Sequence, residues 1–178
     1  HGNKIARASY LPLGGNPSAV FLKDSLAKFI KDNKITKEAL ISLPLAKIQT
    51  FTYIFPNMPE GEIESAIAWK LKQNLPADTI FDDISFDYIS YTQSKDEINK
   101  EIRALVFVIG KRAVLEQIRP LKDLSLRILT AQPKPYAVLS ALFWLNKIRQ
   151  DETVVVLQLG ASQSVISIVH MGQLYIMR

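Results

Sequence analysis

Gly160-Ala161-Ser162-Gln163-Ser164 is the stretch whose residue types and spacing most suggest ligand chemistry. Backbone N–H groups of a glycine turn can converge on phosphate oxygens, and serine hydroxyls can add donors. A plain hairpin turn accounts for the same residues. The stretch also comes one residue short of G-x-S-x-G, the nucleophile elbow. Its fifth residue is Ser164, and a strand-like run follows where the elbow needs a helix. The only histidines are His1 and His170, so a serine hydrolase lacks its base in any recognisable place. Two histidines without cysteine give no metal-ligand spacing. The absence of cysteine excludes disulfides and a thiolate nucleophile. Asp82-Asp83 and the Glu62/Glu64 pair have no identifiable acid/base partner. His170 reads as a surface histidine.

Composition narrows the classes further. A chain of 178 residues suits one domain or two small ones, and 48% hydrophobic with 22% charged residues supports a packed core. No apolar run reaches the roughly 18 residues that a membrane helix needs, and no signal peptide is visible at the start. The net charge of +5 comes from 22 basic and 17 acidic residues. The lysines are dispersed and read as solvated faces, although a basic chain also suits an acidic partner or membrane surface. There is no aromatic-basic RNA signature and no helix with clustered arginines, which argues against nucleic acid.

The elements that would position a site follow from periodicity. Ile5, Ala8 and Tyr10 suggest a strand, and residues 14–18 a loop. Phe21, Leu22, Leu26, Phe29 and Ile30 follow a helical period ending near Asn33. Thr36 would cap a short turn before residues 39–43. Residues 47–55 alternate as a strand, with Gln49, Phe51, Tyr53 and Phe55 on one face. Residues 60–74 form a helix: Pro59 fixes its entry, acidic residues occupy its first turns, and Ile63, Ala66, Ile67 and Leu71 form its apolar stripe. Pro76 stops it. A half-buried strand at 84–91 and a polar loop at 92–100 come next. Residues 102–109 are nearly all apolar, hence a strand buried on both faces. A helix at 112–119 and a short strand at 126–129 complete a β-α-β-β-α-β order from about 47 to 130. Such a split unit predicts one antiparallel sheet with two helices on one face. Residues 132–135 form a linker. The apolar helix beyond it should run to residues 147–150 with Trp144 in the core. Three strands follow, at 153–159, 165–170 and 173–177.

Phe55-Pro56-Asn57-Met58-Pro59, then Glu62-Ile63, Ala66-Ile67, Trp69 and Leu75-Pro76, with an acidic, aromatic strand after them, resemble the type IV pilus assembly protein PilM family. Ile41-Ser42-Leu43-Pro44 matches a further family motif. The resemblance covers this sequence and only part of the family's length. It implies an α/β (α+β) actin-like ATPase, ribonuclease H-like fold with an inserted βαββαβ subdomain of the FtsA-like type, called 1C. Residues 1–46 would be partial subdomain 1A, 47–130 the 1C insertion, 131–152 the return helix of 1A, and 153–178 the first strands of a second actin-like half. The implied role is a cytoplasmic scaffold at the inner face of the bacterial inner membrane. It would bind the N-terminal tail of a PilN-like bitopic membrane protein and other pilus platform proteins. Pro44, Phe51 and Tyr53 are then groove candidates, though a core-and-hinge role fits them equally.

The resemblance also bears on nucleotide. Family members read D-[IL]-G-x-[ST]-x-[ST] at the glycine turn, with the aspartate helping to place magnesium. Here Gln158 stands at the aspartate position, and the family's upstream glycine-rich loop is absent from this sequence. Gly160, Ser162 and Ser164 remain as phosphate candidates. ATP and Mg are expected only in a longer parent protein, and no catalytic residue is expected here. Two alternatives stay open. One is a GspL-like type II secretion cytoplasmic domain that recruits a secretion ATPase, which Gln158 favours and Met58-Pro59 does not. The other is a nucleotide-binding FtsA-like ATPase.

Overall fold

The computed structural model of the protein describes residues 9–12, 18–35, 38–94, 100–122, 124, 126–161 and 163–178. The expected strand positions Ile5 and Ala8, loop residues 14–17, Thr36, most of the loop after residue 94, and Ser162 lie outside them. Among the described residues the chain forms four α-helices and eight strands, a mixed α/β fold.

The centre is β4 (Lys100–Gly110), flanked in antiparallel order by β2 (Ile48–Pro56) and β3 (Ile84–Ser94). Its apolar run has a two-sided cause. Ile102, Ala104, Val106 and Val108 pack on one face under α2 (Glu60–Asn74), against Ile63, Ile67 and Leu71. Leu105 and Phe107 point the other way, into a second core with Leu139, Val169 and Leu174. Successive side chains on a strand alternate faces, so a strand between two cores must be apolar throughout.

The expected four-stranded insertion is not what forms. β5 (Arg127–Pro133) leaves that sheet and pairs in parallel with β1 (Glu38–Leu43). Nor do two helices share one face of the sheet. α3 (Lys111–Lys122) packs against α1 (Ala19–Asp32), β4 and β5, so α2 covers its face without it. The element order was correct, but α3 carries the chain away from β4, and local alternation cannot say which neighbour the next strand will find.

α4 (Lys134–Trp144) starts behind Pro133 and ends a turn earlier than its apolar spacing predicts. Asn146 adopts a positive φ of 54°, while Lys147 N–H donates to Leu142 O at 2.8 Å and closes the helix end. Trp144 is 44% exposed rather than a core residue, because only the Leu139 side of α4 meets the second core.

β6 (Thr153–Leu159), β7 (Ser164–His170) and β8 (Gln173–Met177) form an antiparallel meander. Met171 and Gly172, both at positive φ, make the tight turn between β7 and β8. Val165, Ser167 and Val169 face inward, while Val155, Leu157 and Leu159 are exposed on the outer side.

Candidate functional site

Two concavities matter. The larger in consequence is a groove of about 430 Å³ between β3 and β5. β3 is an edge strand of its sheet, so one row of its main-chain groups is unpaired by any described strand. Its register puts Ser85 opposite Ile109 and Asp87 opposite Phe107, and these four residues line the near wall with Ile89. Thr130, Ala131, Gln132 and Pro133 of β5 form the far wall, and Val114 of α3 and Tyr136 of α4 contribute to the lining. The groove is therefore mainly apolar, with a few polar groups along it. Asp87 is exposed, and one of its oxygens accepts the Tyr88 N–H at 2.8 Å. On the opposite face, burial pushes the Tyr88 phenol up, and Glu64, Glu60 and Asp87 add to the shift in that order.

The second concavity, of about 460 Å³, lies at the turn between β6 and β7. Gly160 lines it together with Pro44, Lys134, Pro135 and Gln158. Gly160 N–H donates to Gln163 O at 3.1 Å, so this donor is engaged inside the turn. A Cβ at Gly160 would sit 2.7 Å from the same carbonyl oxygen, which explains the glycine. Gln158 Nε2 donates to Pro135 O at 3.3 Å and ties β6 to the start of α4. Its amide thus does a structural job at the position where the resembled family carries an acidic residue.

The expected site residues scatter. Gly160 lines the turn cleft, Ser164 opens β7 opposite Leu159, and Ser162 lies outside the described residues. Pro44 lines the turn cleft rather than the β3–β5 groove. Phe51 and Tyr53 line neither; their rings stack at 6.0 Å and pack against the core beneath α2. Burial raises the Tyr53 phenol, partly offset by Asn74. The structure therefore does not bring the three groove candidates together. The residues that do line the groove were visible only as the polar alternation Ser85–Asp87, set between Ile84, Phe86 and Tyr88. Among the described residues no cluster of three or more His, Cys, Asp or Glu could hold a metal. No helix among them is long and apolar enough to cross a membrane.

No family model matches the chain, and no curated protein matches it. Solved structures do. A chain of the PilM-PilN type IV pilus biogenesis complex superposes with a TM-score of 0.74 over 97% of this chain, at 18% identity. The chain has a PilM-like fold. The cytoplasmic domain of EpsL, an inner-membrane component of the Vibrio cholerae type II secretion system, shares that fold more loosely, with a TM-score of 0.56 over 85% of this chain at 11% identity. The chain spans about half the length of each, 51% and 54%. At these identities the PilM-like likeness concerns architecture, and the site must be argued from the residues present.

Proposed function

We propose that this chain is part of a scaffold of a type IV pilus or related secretion platform, held at the cytoplasmic face of the inner membrane. In this reading the groove between β3 and β5 receives an extended segment of a PilN-like membrane protein. The observation that carries it is an apolar groove beside a strand edge that no described strand covers, in a fold shared with a chain of the PilM-PilN complex. An extended segment can take main-chain hydrogen bonds from a sheet edge while its alternate side chains enter the groove. The domain division 1–46, 47–130, 131–152 and 153–178 belongs to the same reading with one boundary moved: β5 pairs with β1, so residues 127–130 go with the 1–46 part and not with the insertion.

Docking is proposed to need neither ATP nor magnesium. Gly160 N–H is used within its own turn, and Gln158 is a neutral amide bound to Pro135 O. These two facts also support the second reading, a GspL-like secretion scaffold, since such a role has no call on nucleotide. An FtsA-like ATPase gains nothing from them.

The test is calorimetric titration with a peptide from the N-terminus of the PilN-like protein encoded in the same genome, with and without magnesium-ATP. Ala131→Trp fills the groove and should weaken binding more than roughly tenfold, with the unfolding midpoint little changed. Equal binding by the variant would overturn the groove assignment. Binding that requires magnesium-ATP would overturn the nucleotide-independent part. If the pilus peptide fails and a secretion-ATPase fragment binds, the GspL-like reading takes its place.

A further inference from the structure

Among the described residues lining the β3–β5 groove, Asp87 is the only charged one. The residue opposite it on β4 is Phe107, and Thr50 stands beyond on β2, so no cation faces it across the sheet. It makes no ion pair with any described residue. One of its carboxylate oxygens accepts the Tyr88 N–H, and a carboxylate has further acceptor positions besides. Its same-face neighbours along β3 are Ser85 and Ile89, and the floor on either side is apolar, formed by Ile109 and Phe107. Asp87 is exposed, so its carboxylate meets water as well as the groove, and a ligand cation on it gains what a surface ion pair gains. What it supplies is charge complementarity: one anion set among apolar and neutral lining residues.

We propose that the groove selects an extended peptide carrying one Lys or Arg flanked two residues away by apolar side chains, with the cation on Asp87. This deepens the docking role proposed above and rests on it. The spacing follows from strand geometry. Residues i and i+2 point to one face about 6.6 to 6.8 Å apart, so a segment laid along β3 matches the Ser85–Asp87–Ile89 repeat position for position. With its cation level with Asp87, its two flanking same-face residues stand level with Ser85 and Ile89, whose partners on β4, Ile109 and Leu105, are apolar. The signature is apolar-x-cation-x-apolar. A neutral residue in the centre leaves the Asp87 carboxylate without a partner in the complex. An acidic one sets two like charges together.

The test is selection of a displayed library of random ten-residue peptides on the protein, followed by titration of the selected peptide and its centre-substituted versions. The expected result is enrichment of Lys or Arg at one position between apolar residues, and roughly fivefold tighter binding than the Gln-centred peptide. Asp87→Asn keeps an acceptor for Tyr88 N–H and should retain the apolar preference while losing the cationic one. Asp87→Lys should turn the preference toward Asp or Glu. Enrichment of apolar positions with no charge preference, unaltered by Asp87→Asn, overturns the cation inference and leaves the groove reading standing. Failure to enrich any peptide, or enrichment unaffected by Ala131→Trp, overturns both.

Discussion

Two glycines show how far a single Cβ depends on its surroundings. At Gly160 the added carbon would meet the backbone oxygen of Gln163 at 2.7 Å, and a backbone atom in a tight turn cannot swing aside as a side-chain tip can. Gly61, in the first turn of α2, has open space within 4 Å where its Cβ would be. Gly160→Ala should therefore cost about 1 to 3 kcal/mol, the usual penalty for forcing atoms into occupied space. Gly61→Ala should stabilise by up to about 1 kcal/mol, since alanine restricts the unfolded chain and suits a helix. Urea unfolding of both variants measures the pair, and like signs would contradict the packing described at the turn. The same scale explains why the glycine turn was only half legible. Its hairpin shape follows from Gly160 and the strands either side, but the use of Gly160 N–H and of the Gln158 amide is a matter of tertiary partners.

At the scale of elements, legibility tracked the number of faces an element buries. The unbroken apolar run of β4 could only be a strand between two cores, and it is one. The stripe of α2 likewise named its buried residues in advance, with Ile67 and Leu71 wholly enclosed. β5 was misplaced because its alternation is weak and most of its residues are half-buried or exposed, so nothing local marked β1 as its partner. The resemblance made Phe51 and Tyr53 groove candidates; the pleat turns both toward the core beneath α2. The wall of the β3–β5 groove needed β5 in its observed place before Asp87 and Thr130 could line one concavity. The contrast within α2 is measurable. Leu71→Ala should cost about 2 to 5 kcal/mol, as for other enclosed leucines. Trp69, larger but 58% exposed, with the Lys70 ammonium 5.3 Å from its ring centre, should cost little when changed to alanine, about 0.5 kcal/mol or less. Thermal or denaturant unfolding of the two variants decides it, and a larger loss at Trp69 would mean that α2 packs by its other face.

The whole molecule is held together where the β6–β7–β8 meander meets the three-stranded sheet. Leu105 and Phe107 of β4 enter the same core as Val169, Leu174 and Met177, so the joint has an apolar interior. At its margin, the Arg103 guanidinium lies 3.8 Å from the centre of the Tyr175 ring, and the centres of the Tyr91 and His170 rings lie 6.5 and 6.3 Å from it. Burial pushes the Tyr91 phenol up, while Arg103 works in the opposite direction. Nearby, Arg178 donates to Thr50 twice, to the carbonyl at 3.1 Å and to the hydroxyl at 2.6 Å. Arg103 and Thr50 belong to the sheet that bears the β3–β5 groove, whereas Tyr175 and Arg178 come from the end of the meander. These polar contacts join the two layers at the margin of the apolar interior. Neither was legible in the sequence, since each joins residues far apart in the chain. Between the half-buried Arg103 and Tyr175 a cation–π contact contributes about 1 kcal/mol and each hydrogen bond about 0.5 to 1.5 kcal/mol, so the doubly substituted Arg103→Ala/Arg178→Ala protein should lose about 2 kcal/mol. The loss should be local. Amide hydrogen exchange in β7 and β8 should quicken well before that of β4, whose hydrogen bonds lie between two neighbouring strands and beneath α2. Uniform quickening of both sheets would instead show that they open as one cooperative unit, with the apolar interior and not the two arginines setting the joint.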